Sequence, residues 1–144
     1  VAAQFAIFGA TVVAPRLGPR WPRWLARVAR LLGAPLLPLG GWLLARGMAD
    51  LGTAFTPFPK PLEDAPFVRE GLYARMRHPI YTGAIALGLG WSLLTANTTR
   101  LLLATGLVAL FDAKARREEV WLGRKFPEYA RYRAEVSKLL PRIY

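Results

Sequence analysis

The sequence predicts an all-α membrane domain: a polytopic bundle of about four transmembrane helices followed by a cytoplasmic C-terminal helix. Three observations predict it. The 144-residue chain is 53% hydrophobic with a mean hydropathy of +0.24, high for a soluble domain. Its formal net charge of +11 comes from arginines that flank apolar runs, as expected where basic ends meet anionic headgroups. The apolar runs are divided by proline, glycine and short polar clusters. Nucleic-acid binding, the rival explanation for the charge, is set aside because the arginines form no single stripe. With no cysteine and one histidine, neither a disulfide framework nor zinc chemistry is expected. Residues 1–144 read as one domain.

In chain order, Val1–Ala14 is uncharged and apolar, short of the ~20 residues a span needs, and reads as a truncated first span. No charged region precedes it, so it fits a cleaved signal peptide poorly. Pro15–Arg30 holds five arginines, two tryptophans and three prolines. Trp21, Trp24, Leu25 and Val28 lie opposite Arg23, Arg27 and Arg30, the pattern of a short interfacial helix; a basic loop anchored by tryptophan fits equally well.

Leu31–Ala49 is apolar but interrupted by Pro35, Pro38 and Gly40-Gly41. It reads as a kinked span, with a re-entrant hairpin as the alternative; Arg46 near its end can snorkel to the interface. Asp50–Arg77 is polar and contains Pro57, Pro59, Pro61 and Pro66, too long for a turn and too proline-rich for a helix. It is expected to be an ordered cap over an active site.

Pro79–Thr99 carries no charge and is the clearest membrane helix, with Gly83, Ala84, Gly88 and Gly90 offering small surfaces for helix contact. Pro79 sits where proline is tolerated, in the first helical turn, and leaves Arg77 and His78 just outside. Free N–H groups gather at such a mouth and suit an anion. Asn97-Thr98-Thr99 supplies N-cap candidates for the next helix. Leu101–Phe111 is too short to span alone, so that helix is expected to continue toward Phe126, its second half projecting into the headgroup layer. Pro127 must end it. Glu128–Leu140 is amphipathic, with Tyr129, Tyr132, Val136 and Leu140 on one side.

Sidedness meets a conflict. Nine lysines and arginines from Lys114 onward place the C-terminus, and with it His78, in the cytoplasm. Four spans would then put Arg16–Arg30 on the other side, against the positive-inside rule, unless Leu31–Ala49 is a hairpin.

Two polar clusters remain: Arg77-His78-Pro79-x-Tyr81-x-Gly83, and Arg116-Arg117-Glu118-Glu119. In this order, spacing and membrane context they resemble the isoprenylcysteine carboxyl methyltransferase and phospholipid methyltransferase superfamily of integral membrane enzymes. The resemblance covers the chain from about Phe55 onward. The family usually has Gly-Pro-Tyr where this chain has Gly71-Leu72-Tyr73. It usually ends Phe-Gly-x-x-Tyr-x-x-Tyr, one residue longer than Phe126-Pro127-Glu128-Tyr129-Ala130-Arg131-Tyr132.

The resemblance implies S-adenosylmethionine as cofactor, with Arg77, His78, Tyr81, Gly83, Glu118 and Glu119 in its binding region. The residues add their own reading. Arg77 and His78 suit the cofactor's carboxylate, and Glu118 or Glu119 its ammonium. Tyr81 or Tyr73 could face the sulfonium. Gly83 would let the cofactor or a neighbouring helix approach the backbone closely. Pro79 completes the mouth. The acceptor is expected to be lipid-like: a prenylcysteine carboxylate oriented by the candidate catalytic cations Arg75 or Lys114, or a lipid headgroup amine served by Glu70. Membrane lipids are the other expected partners, and nucleic acid is not one. Singly, each feature also has an ordinary structural explanation: an interfacial loop histidine, a solvated ion-paired helix face, tyrosine anchors. A non-catalytic scaffold and a reduced relative of membrane sterol reductases are the alternatives.

Overall fold

The computed structural model describes residues 2–58, 60 and 62–144. Val1, Pro59 and Pro61 lie outside that set, so two of the four cap prolines are not placed. The described residues form five α-helices: α1 Ala2–Val13, α2 Arg23–Leu51, α3 Pro79–Leu94, α4 Thr98–Lys125 and α5 Tyr129–Glu135. Short 3-10 turns follow α2 at Gly52–Ala54 and precede α3 at Gly71–Ala74. Among the described residues there is no strand, only an isolated parallel bridge between Met76 and Ser137. The all-α expectation holds.

α2 corrects the reading of the first half. The interfacial segment and the kinked span are one helix, which begins at Arg23 and runs unbroken through Pro35 and Pro38. The hairpin reading is thereby excluded. Both prolines are on the exposed side, while Gly33, Gly40 and Gly47 are buried on the other. That buried side lies antiparallel to α3, glycine against glycine. A Cβ on Gly40 would stand 2.8 Å from the Gly83 carbonyl oxygen, and one on Gly83 2.7 Å from that of Gly40. Gly33 meets Gly90 in the same way. Glycines seven residues apart on each helix keep one seam facing its partner, and backbone-to-backbone packing offsets the carbonyl contacts the prolines forfeit.

α2 with its following turn is the one helix among the described residues both long and apolar enough to cross a membrane. α1 and α3, with 12 and 16 residues, reach about 18 and 24 Å against a hydrocarbon core of about 30 Å. Among the described residues these lengths do not confirm the expected count of about four spans.

α3 stops at Leu94, short of the expected Thr99. Ala96 takes a left-handed φ of 44°, and the Asn97 and Ala96 N–H groups bond back to Ser92 and Leu93. This is the six-to-one and five-to-two closure that ends helices, here without glycine. Asn97 then caps α4 by accepting from the Arg100 N–H at 3.3 Å. α4 runs past Asp112 to Lys125, as expected.

The C-terminal helix is a second correction. α5 covers only Tyr129–Glu135; Val136 is extended, Ser137 pairs with Met76, and the chain then turns back over Leu140–Tyr144. The Arg77 and His78 N–H groups donate to the Ser137 and Lys138 carbonyls at 2.8 and 3.1 Å. The C-terminus thus straps across the start of α3.

Candidate active site

His78 is the residue immediately before α3, and Pro79 opens the helix, buried, as the sequence requires. α4 passes alongside and brings up Glu118 and Glu119, about 40 residues away in sequence. Adjacent helical positions point about 100° apart, so the two carboxylates serve different partners.

Glu119 is 5% exposed. Its Oε1 accepts from Arg77 Nε at 2.8 Å and from His78 Nε2 at 3.0 Å, and its Oε2 lies 3.4 Å from Arg133 Nε. A carboxylate only accepts, so His78 carries its proton on Nε2. Burial alone would raise the Glu119 pKa; the hydrogen bonds from His78 and Arg77 outweigh it and hold the carboxyl down to about 2. Arg77 is fixed further by donating to the Arg133 carbonyl at 3.0 Å and to that of Val136.

Glu118 turns instead to a cavity of about 300 Å³, at the small end of the range for cofactor sites. Its Oε2 accepts from the Tyr81 hydroxyl at 2.6 Å and is 3.8 Å from His78 Nδ1. The Tyr81 ring stacks on His78 at 5.3 Å and on Phe111 at 5.0 Å. The cation lying over it is Lys114, 5.1 Å from the ring centre. Lys114 also donates to Gln4 Oε1 at 2.6 Å and to the Pro57 carbonyl at 2.7 Å, joining α1, α4 and the cap. Apolar residues of α1 and α2, among them Phe5, Phe8, Leu44 and Met48, complete the wall.

Of the residues singled out from sequence, Tyr73, Arg77, His78, Tyr81, Lys114 and Glu118 line this cavity. Glu119 stands behind it, orienting Arg77 and His78. Of the two readings of Gly83, cofactor or neighbouring helix, the structure gives the helix: its free side faces the α2 backbone. Arg75 and Glu70 are exposed and do not line the cavity, so neither can orient an acceptor there in this conformation.

Sequence reasoning missed the aromatic roof. Phe67 of the cap stacks on Phe126 at 4.9 Å and meets Tyr132 edge-on at 5.2 Å. Tyr132 donates to the Tyr73 carbonyl at 2.6 Å. Tyr129 is 2% exposed, lines the cavity, and its hydroxyl has no partner among the described residues. Burial pushes that phenol far up, so it stays a donor. The three-residue spacing of Tyr129 and Tyr132 was the available signal; Phe67 carried none. The two ends of the cap meet at Asp50. Asp50 accepts from the Leu72 N–H at 2.8 Å, and Gly71 beside it has φ +60°, with the Asp50 carboxylate where a Cβ would go.

Comparison with known proteins bears on the family and the fold. The phospholipid methyltransferase family model matches residues 28–129. A protein-S-isoprenylcysteine O-methyltransferase of Schizosaccharomyces pombe is 32% identical over 111 residues, covering 74% of this chain and 47% of that protein. Among solved structures, the eukaryotic intramembrane Ras methyltransferase, isoprenylcysteine carboxyl methyltransferase, superposes with a TM-score of 0.71 at 22% identity. That match covers 99% of this chain and 48% of the other. The chain thus spans about half the length of the relatives it matches.

Proposed function

The chain belongs to the phospholipid methyltransferase family, and from that premise we propose that it is a membrane methyltransferase using S-adenosylmethionine on a lipid-like acceptor. The observation that carries this reading is the meeting of Arg77, His78 and Tyr81 with Glu118 at the wall of one cavity. Two features of that wall fit the cofactor. The second oxygen of Glu118 takes no protein donor among the described residues, and suits an ammonium. The unpartnered Tyr129 hydroxyl suits a polar atom of a nucleoside. Bound there, S-adenosylmethionine would supply a methyl on a sulfonium that leaves without acid catalysis, so the protein's task is placement and field. Glu119 fixes Arg77 and His78, Tyr81 holds Glu118, and the aromatic roof excludes water.

The acceptor we favour is an anionic one such as a prenylcysteine carboxylate. Lys114 supports it as the cavity-lining ammonium, held over Tyr81 where it can orient a carboxylate. The apolar wall of α1 and α2 suits a lipid tail, so the acceptor need not leave the bilayer. We place the active site at the cytoplasmic face, on the positive-inside argument for the C-terminal region.

The test is calorimetric titration of S-adenosylmethionine in detergent. Glu118→Gln should weaken binding by about 1.5–3 kcal/mol, the worth of a charge-assisted contact. Unchanged affinity would refute the cofactor site. Farnesylated cysteine should then be methylated and the free amino acid should not; equal turnover of both without amphiphile would refute the lipid-like acceptor.

A further inference from the structure

The nine acidic residues of this chain all lie between Asp50 and Asp64, at Glu70, or from Asp112 onward. The end of the bundle where α3 stops, about 24 Å from His78 along that helix, has none. It carries Arg16, Arg20, Arg23, Arg27, Arg30 and Arg100, six of the net eleven charges.

Five of these arginines line one groove of about 680 Å³, between the first turns of α2 and the end of α3 at Leu94 and Ala96. The groove is built, not incidental. The Trp21 indole donates to Thr98 Oγ1 at 2.7 Å, fixing one wall. Arg16 is anchored through Nη2 to the Thr95 carbonyl at 2.9 Å, and the Leu17 N–H bonds Thr99 Oγ1 at 3.0 Å. Arg23, Arg27 and Arg30 follow at helical spacing on one face of α2, all exposed. Beside that row, Trp24 is 68% exposed and Leu31 71% exposed. A row of guanidinium groups next to a row of bare apolar side chains, on a helix long enough to span, matches the boundary between headgroups and acyl chains.

We propose that this groove binds the phosphate of an anionic phospholipid from the surrounding leaflet. Guanidinium forks match phosphate oxygens in pairs, and like charges packed this closely attract a counter-anion, for which no acidic residue stands beside them among the described residues. The proposal rests on α2 lying in a bilayer and is independent of methyl transfer. It also answers the sidedness conflict: lipid phosphate, not the compartment, compensates the arginines.

The test is native mass spectrometry of the full chain in neutral detergent, titrated with phosphatidylglycerol or phosphatidylcholine. The protein should prefer phosphatidylglycerol by about tenfold or more, given the worth of each basic residue at an anionic surface. R23Q/R27Q/R30Q should lose that preference, while R117Q/R124Q at the other end should keep it. If the triple variant fails to fold by circular dichroism, R27Q alone should lower the preference by about threefold. A preference kept in the groove variants, or lost equally in R117Q/R124Q, overturns the proposal. So does displacement of the lipid by millimolar glycerol phosphate or by an RNA oligonucleotide, which would make the ligand a free phosphate or a nucleic acid.

Discussion

Where α3 begins, one carboxylate, Glu119, takes hydrogen bonds from Arg77 and His78 and faces Arg133. Where α3 stops, Arg16, Arg20, Arg23, Arg27 and Arg30 have no acidic partner among the described residues. Both ends are strongly basic, yet they handle charge by different physics. Arg77 and His78 are largely removed from water and require a partner inside the protein. The far arginines are exposed, keep their hydration, and can wait for a partner from outside. Fixed pairing yields a defined geometry that can orient a ligand; unpaired charge yields an attractive surface. Fixed geometry suits chemistry, and an attractive surface suits anchoring.

The largest effect should come from removing the hub of the paired end. Glu119→Ala would leave Arg77 and His78 buried without their acceptor, at a cost of about 3–5 kcal/mol. Thermal unfolding in detergent should fall well below wild type, with S-adenosylmethionine binding lost as well. From sequence alone Glu118 and Glu119 are equivalent, and Glu119→Ala would be expected to weaken binding and spare the fold. Their different surroundings separate them: Glu118→Gln should affect binding with little change in stability. Equal stability losses in the two variants would break the distinction.

Acid should act on the same end first. The folded Glu119 carboxyl is held to about 2 against an ordinary 4.5. A depressed carboxylate contributes stability fully above its unfolded pKa, and that contribution is lost as pH falls through the folded one. Between about pH 4.5 and 2 the loss from this group is on the order of 3 kcal/mol. Hydrogen exchange should therefore rise first at Arg77 and His78, while the α2–α3 seam near Gly33 and Gly90 stays protected. Uniform loss of protection would show that the two ends do not differ.

The seam joining the ends should be less sensitive than the hub. A Cβ on Gly83 would stand 2.7 Å from the backbone atoms Gly40 O and Leu44 N and 3.1 Å from Leu44 Cβ, so neither neighbour can yield cheaply. Gly83→Ala should cost about 1–3 kcal/mol in thermal stability. At Gly88 the nearest atom is the tip of the Leu107 side chain at 3.2 Å, and the alanine variant should be nearly neutral.

What could be read from the sequence follows from how local the cause is. The start of α3 was legible because Pro79 enforces it within one turn. The N-cap at Asn97 was legible for the same reason, whereas the passage of α4 through Asp112 followed from length, Leu101–Phe111 being too short to span alone. The C-terminal strap was not: Ser137–Leu139 continues a helical pattern, and only the waiting N–H groups of Arg77 and His78 pull it straight. The continuity of α2 was hidden because Pro35 and Pro38 are helix breakers locally, while the glycine seam that overrules them depends on a second helix. Arg75 was credited with a site role for its nearness to the motif and Gly83 for its place in it, yet Arg75 is exposed and Gly83 faces α2.

The smallest effect should come from the unpaired end, and its sign is the informative part. Arg27 has Arg23 four residues before it and Arg30 three residues after it, both on the same face. Like charges at these spacings destabilise a helix by about 0.2–0.5 kcal/mol per pair. Arginine and glutamine have similar helix propensities, so Arg27→Gln removes two repulsions and little else. In neutral detergent the variant should melt at or slightly above the wild-type temperature. With phosphatidylglycerol present the order should reverse, because the wild type then gains the lipid contact that the variant forfeits, and anything that binds the folded state stabilises it by mass action. At the paired end no change of lipid should rescue Glu119→Ala, since its missing partner belongs inside the protein. An Arg27→Gln variant less stable than wild type in neutral detergent would mean that Arg27 already has a partner within the fold, and the contrast between the two ends would fail.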